Sequence, residues 1–380
     1  MEFALSDEQR AIFDMARGVA IEKIAPNAQE WEEKEHLPRS ILKELGELGM
    51  ASITIGGDHG SDLSRLEATL IFEGLSYGCA STAAFLSIHN MCVWMVDQFA
   101  QEAVKERWLA KMASGEAIYS YCLTEPGSGS DAAALRTSAR KRDDGHILNG
   151  TKAFISGAGY SDLYLTMVRT GCDGPKGISA LLVENGSKGL GFGANEKKMG
   201  WRNQPTAEVQ FDDCVVPLEC LLGGEGDGFS YAMKGLDGGR LNIAACSLGA
   251  AQSALDKSIP IWVNARLSAK HLISSKRYSS SWLKWKSNCR RLGCFCDRPL
   301  GSMTIKHKTR PNTAPWPKNL SLMSVLKLPI KLCSYMGGYG YLADYGIEKI
   351  VRDLRVHQIL EGTNEIMQLI VSRSLLNEKS

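Results

Sequence analysis

The sequence lacks the marks of several large protein classes. No apolar run nears the ~18 residues that a membrane-spanning helix needs, so no membrane partner is expected. The opening MEFALSDEQR is polar and acidic, unlike a secretory leader. A cytoplasmic location is expected, or a mitochondrial matrix one with a leader already removed. The eleven Cys include no CxxC pair, which excludes a disulfide scaffold and predicts reduced, mostly buried thiols. No GxGxxG follows a strand pattern, which argues against a nicotinamide-binding α/β fold. Walker A, HExxH and zinc spacings are also missing, so no metal is expected. With 44 bases against 42 acids the net charge is +2, which gives no general pull toward nucleic acid.

Acids are missing from one place only. Between Ser258 and Met336 there are 15 Lys or Arg and a single acid, Asp297. The rest of the chain carries 29 bases and 41 acids, so +14 is balanced by −12. The same stretch holds 6 of the 12 Pro and 4 of the 8 Trp. Pro299, Pro311, Pro315, Pro317 and Pro329 would interrupt any long helix, and no apolar period is sustained.

What is present predicts an α+β protein with no internal repeats. Residues 1–117 read as a helical domain. Ser6 and Gln9 form a capping-box pattern ahead of Ile12, Phe13, Ala16, Val19 and Ala20 at helical spacing. Further helices are expected over Ser40–Met50, Arg65–Tyr77, Thr82–Ala100 and Gln101–Met112. Residues 118–222 read as an antiparallel β domain: AIYSYCLTE, GHILNGTKAFISG, DLYLTMVRT, ISALLVE and AEVQFDDCVVP are short β-rich runs between turn signals. Asn149-Gly150 and Asp144-Gly145 predict turns. Residues 223–380 read as a C-terminal helical domain interrupted by the basic stretch. His89 and His357 stand alone and are expected to be structural.

Three motifs could carry chemistry. In Tyr121-Cys122-Leu123-Thr124-Glu125-Pro126-Gly127-Ser128-Gly129-Ser130, followed by Asp131, a β-run enters a loop of small residues. Its N–H groups and the Ser130 hydroxyl suit a phosphate or the polar edge of a ring, although such a loop is also an ordinary hairpin. Lys152-Ala153-Phe154-Ile155-Ser156 places an aromatic two residues from a hydroxyl. On an extended strand both would face one way, as a wall for a flat heterocycle. In Val356-His357-Gln358-Ile359-Leu360-Glu361-Gly362-Thr363-Asn364-Glu365 an acid stands between apolar neighbours. That suits a general base. The plainer alternative is an exposed loop with Thr363 capping the next helix.

The set YCLTEPGSGSD, KAFISGAG, KKMGWRNQPT, SIHNMC and VHQILEGTNEIM, in this order, resembles the acyl-CoA dehydrogenases over residues 1–258 and 337–378. The resemblance implies an N-terminal helical domain, a central β domain and a C-terminal four-helix domain, assembled as a homotetramer. It implies FAD as cofactor, an acyl-CoA substrate and electron-transfer flavoprotein as electron acceptor. It implies dehydrogenation of a short branched acyl-CoA, isobutyryl-CoA to methacrylyl-CoA in valine breakdown, or else of another short-chain acyl-CoA. Glu361 matches the family's catalytic base. Tyr121 to Ser130, Phe154, Ile155, Ser156, Gly337, Gly338, Thr363, Asn364 and Glu365 match FAD contacts. Ser130, Asp237, Gly238, Gly239, Arg240, Gly362 and Arg373 match substrate contacts. Asp237 is a departure, because similar members carry Asn before Gly-Gly-Arg.

Over 259–336 the family pattern is replaced by the basic stretch. Joining the third base of each codon to the first two of the next restores it. Ile261–Ala269 then permits LGERQAFG, and Leu272–Trp282 permits NQFQALQFKL. Lys331–Met336 permits ALQLH, which joins Gly337-Gly338. A shifted reading frame is therefore expected. The chain as written should retain FAD poorly and be inactive, whereas a repaired chain should be an intact enzyme. The contrasting expectation is a non-enzymatic chain whose basic 258–336 segment binds a partner.

Overall fold

The computed structural model describes residues 5–264, 266–267, 270–271 and 327–377. Most of the stretch expected to be frame-shifted lies outside the described residues.

Helices α1 (Asp7–Val19), α2 (Ala28–Glu33), α3 (Arg39–Glu47), α4 (Arg65–Ser76), α5 (Ala80–Phe99) and α6 (Glu102–Ala113) form the first part. The predicted box closes α1: Gln9 N–H donates to Ser6 Oγ at 3.2 Å and Ser6 N–H to Gln9 Oε1 at 3.1 Å. Ser64 and Glu67 repeat it at α4. Ala16, Ala20 and Ile24 form one buried stripe that continues through the π-turn Ala20–Ile24 before Pro26. Helix α5 is apolar all round and buried on nearly every side, as expected of a helix walled in by others.

The middle layer is an eight-stranded sheet: β1 (Tyr119–Cys122), β2 (Ser138–Arg142), β3 (Gly145–Ser156), β4 (Leu163–Arg169), β5 (Ile178–Glu184), β6 (Leu190–Phe192), β7 (Thr206–Val216) and β8 (Leu221–Leu222). The order is β6-β7-β3-β2-β4-β5-β8, with β1 beside β4. Pairing is antiparallel except that β1–β4 and the single β2–β4 pair are parallel. The Asp144-Gly145 turn forms, joining β2 to β3. Asn149-Gly150 does not make a turn. It lies inside β3, where the register against β7 shifts between Leu148 and Gly150. The Asn149 amide bonds both the N–H and the carboxylate of Asp213, each at 3.0 Å, so tertiary contact holds the strand through the turn signal.

Helix α7 (Gly228–Asn264) spans 37 residues and includes Pro260. Helices α8 (Lys327–Tyr335), α9 (Gly338–Tyr341), α10 (Ile347–His357) and α11 (Asn364–Asn377) follow among the described residues. Pro329 falls in the first turn of α8, where its missing N–H removes no helical bond. One apolar core fills the sheet and its α5 and α7 faces, a second the N-terminal helices, and a third unites α7, α8 and α10. No described helix is long and apolar enough to cross a membrane.

Candidate functional site

A cavity of about 340 Å³ opens where the sheet, α5, α7 and the α10–α11 turn meet. Its apolar wall includes Ile88, Met91, Leu236, Ile243, Leu360 and Trp201. Glu361 stands in it, at φ +54, followed by Gly362 at φ +90. Non-glycine residues enter this left-handed region at a cost and cluster at functional sites. Phe154 (φ +59) and Trp201 (φ +55), both on the same cavity, share the conformation. Arg240 donates from Nε to the Glu361 carbonyl at 3.1 Å and pairs with Asp237 at 2.8 Å. Gly239 makes room for the carboxylate, since a Cβ there would lie 2.7 Å from Glu361 Oε1.

The structure gathers Tyr121, Leu123, Thr124, Gly129, Ser130, Phe154, Ile155, Ser156, Arg240, Glu361 and Gly362 around one space. Four consecutive residues, Ala153 to Ser156, face it. A regular strand would present alternate ones. The register against β7 shifts between Lys152 and Ile155, and this bulge turns the segment toward the cavity.

Other predicted site residues sit elsewhere. Strand alternation puts Cys122 in the core, where burial raises its thiol to about 12. Glu125 faces inward: Lys152 Nζ lies at 2.8 Å, and the N–H groups of Arg136 and Thr137 donate to it at 2.6 and 2.8 Å. Burial alone would raise this carboxyl, but Lys152 and those donors more than offset it and hold it below its ordinary value. Lys152, itself fully buried, also donates to Leu123 O at 3.1 Å. The pair thus pins the loop from beneath. Pro126 and Gly127 are exposed, and Ser128 Oγ donates to Asp131 O at 2.5 Å. Asp237, Gly238, Gly337, Gly338, Asn364 and Glu365 do not line the cavity. Thr363 caps α11 through its hydroxyl, which accepts from Ile366 N–H at 3.3 Å. Arg373 is exposed, one turn beyond the lining residue Ile370.

Sequence reasoning gave no role to Trp201, Met91 or Ile243, because apolar wall residues look like core until neighbouring elements converge on them. His89 is structural as expected: Tyr119 N–H donates to Nδ1 at 3.2 Å, so Nε2 carries the proton and donates to Met112 O at 3.0 Å. Burial lowers its pKa to about 4.

The cavity suits a flat ring with polar edges. Phe154, a residue 67% exposed, offers an aromatic ring. The buried Tyr121 hydroxyl makes no hydrogen bond among the described residues. The space above Gly127 is open, and a Cβ on Gly129 would only graze Thr124 at 4.0 Å. A dinucleotide flavin fits this donor set, and Thr124, Ser130, Phe154, Ile155 and Ser156, which line the cavity, are the residues that would hold it.

Three family models match in order: the acyl-CoA dehydrogenase N-terminal domain over residues 6–116, the middle domain over 120–214 and the C-terminal domain over 226–376. Isobutyryl-CoA dehydrogenases of Bos taurus and Dictyostelium discoideum are each 43% identical, over 98% of this chain and 90% of theirs. A short-chain specific acyl-CoA dehydrogenase of Clostridium acetobutylicum is 34% identical over 98% of this chain and 99% of its own. Among solved structures, butyryl-CoA dehydrogenase from Megasphaera elsdenii superimposes with a TM-score of 0.94 at 31% identity, covering 99% of this chain and 100% of that one. A chain from work on the electron transferring flavoprotein of Acidaminococcus fermentans gives 0.94 at 32%, with the same coverage. With the helical, sheet and helical layers in this order around one acid-bearing cavity, the chain belongs to the acyl-CoA dehydrogenase family of FAD-dependent oxidoreductases.

Proposed function

We propose that the protein dehydrogenates a short branched acyl-CoA, isobutyryl-CoA to methacrylyl-CoA in valine breakdown, as a homotetramer that passes electrons to electron-transfer flavoprotein. The observation that carries it is the Glu361 carboxylate, held in an apolar cavity against Gly239 and beside Arg240. The two relatives named as isobutyryl-CoA dehydrogenases support the substrate. The Acidaminococcus neighbour supports the electron acceptor.

FAD, when bound, supplies the acceptor for the hydride that leaves the substrate's β carbon. The chain does the rest. Glu361 takes the proton from the carbon next to the thioester, and its backbone N–H helps polarise the thioester carbonyl. Arg240 fixes the backbone of that residue from α7. Tyr121, Phe154, Trp201 and Leu360 keep water from the reacting carbons, which strengthens each polar contact inside.

Bleaching of the yellow protein, made with 259–336 in the restored frame, by isobutyryl-CoA, compared with butyryl- and 2-methylbutyryl-CoA, tests the reading. An oxidised flavin that stays unbleached with all three counts against it.

For 259–336 we propose a shifted reading frame. Its support is the set of motifs restored within the stretch, which lies inside a C-terminal family match over residues 226–376. Resequencing the gene decides the matter. Tryptic peptides of the basic frame in purified protein would overturn it.

A further inference from the structure

Four residues before Glu361, the imidazole of His357 is fully buried between α7 and the loop that carries Trp201. The Trp201 indole N–H donates to His357 Nε2 at 3.3 Å, and the two rings meet edge to face at 5.3 Å and 75°. An indole N–H can only donate, so Nε2 accepts and Nδ1 carries the proton of a neutral ring. Nδ1 then donates to Ser247 Oγ at 2.8 Å, and the Ser247 hydroxyl donates to Ile243 O at 2.9 Å. The chain of bonds has one consistent direction and joins three elements.

The same elements are tied a second time through the backbone. Trp201 N–H donates to Asp353 Oδ1 at 2.6 Å, and Asp353 also pairs with Lys349 of its own helix. Gly200 lies so close to α10 that a Cβ would stand 2.4 Å from Arg352 O. Arg352 Nη1 donates to Met199 O at 3.1 Å. Trp201 packs with Ala84, Ile243, Val356 and Leu360. Its left-handed backbone, φ +55, is a conformation that the surrounding contacts must maintain. Trp201, Ile243 and Leu360 all face the cavity that holds Glu361.

We propose that His357 is a positioning residue. Through Trp201 and Ser247 it locks the end of α10 onto α7 and the sheet-side loop, and so fixes where the Glu361 carboxylate stands. The inference deepens the reading of Glu361 as the base and rests on it. The geometric part, however, is measurable in the folded chain without turnover.

The experiment compares the full-length protein, made with 259–336 in the restored frame, with its Trp201→Phe, His357→Leu, His357→Gln and Trp201→Phe/His357→Leu variants. Amide hydrogen exchange is followed in peptides covering 358–364, with α5 peptides as the internal reference. His357→Leu is expected to speed exchange at 358–364 by about tenfold, leaving α5 unchanged. His357→Gln, which still offers a donor and an acceptor, should stay within about threefold of the parent. The double variant should add nothing to His357→Leu, because both remove the same bond. In flavin reduction by isobutyryl-CoA, His357→Leu should lower kcat by roughly 10–100-fold, with KM inside about threefold, as expected for a misplaced base.

Exchange that rises equally in α5, effects of the two single variants that add, or a Gln variant no better than Leu would each overturn the proposal. A parent protein that no acyl-CoA reduces would sink the functional reading, while the exchange pattern would still decide the role of His357.

Discussion

Replacing Lys152 by Met strands the Glu125 carboxylate in the core. The two groups are 0% and 8% exposed and stand 2.8 Å apart. Removing one partner of a buried ion pair costs roughly 3–5 kcal/mol, because the remaining charge is left without compensation. Here the N–H groups of Arg136 and Thr137 still reach the carboxylate, at 2.6 and 2.8 Å. The lower end, ~3 kcal/mol, is therefore expected, equivalent to a Tm lower by roughly 4 °C for a chain of this length.

The pH dependence carries a sign. With Lys152 in place the Glu125 pKa is held down, so the pair's stabilisation is present above the unfolded carboxylate pKa and fades as pH falls through the folded value. Without Lys152 the burial that raises this pKa is opposed only by the two N–H donors, so the stranded group takes up a proton more readily on acidification. The variant's deficit should therefore shrink between pH 7 and pH 5. Adding Glu125→Gln should recover about half of the loss, because a neutral amide strands no charge while it still accepts from one N–H. Thermal unfolding across that pH range, with hydrogen exchange at Arg136 and Thr137, measures this. A deficit below ~1 kcal/mol, or one that does not change with pH, would refute a charge-bearing pair beneath the loop.

With 259–336 in the restored frame, Glu361→Gln should retain FAD and bind acyl-CoA, yet reduce flavin about 10²–10⁴-fold more slowly, the loss typical of a missing general base; stopped-flow absorbance reads it. Gly239→Ala places a methyl 2.7 Å from Glu361 Oε1. The carboxylate must then move, and a rate loss of about 10²-fold with little change in melting temperature is expected. Gly200→Ala meets the Arg352 backbone instead of a movable side chain. It should cost ~1–3 kcal/mol of stability as overpacking does, measured by denaturant unfolding. His89 is held neutral down to about pH 4. Its depressed pKa means that the unfolded chain binds the proton first, so stability is lost as pH falls from about 6.5 toward 4, and an NMR titration of its ring should find no protonation above pH 5.

Local chemistry in the sequence was enough for most N-terminal helices, though not for α2, and for picking out the acid that stands in the cavity. The Ser6–Gln9 box, the apolar spacing of α1 and the β-rich runs act over a few residues and survive folding unchanged. The same holds for Glu361-Gly362, whose backbone turn and acid are written side by side. Other features depended on what packs against them. Asn149-Gly150 carries a turn signal, yet Asp213 holds it within a strand. Phe154 and Ser156 alternate in the sequence, but a bulge against β7 brings their neighbours to the cavity as well. Glu125 and Cys122 share a motif with Ser130 and face the opposite way, because a buried lysine twenty-seven residues on claims one and the pleat claims the other. Trp201 and His357 are far apart in the chain and meet only because Gly200 lets a loop touch α10. Short-range bonds are encoded where they form. A cavity wall belongs to no single segment, so only the packing of distant elements decides which residues compose it.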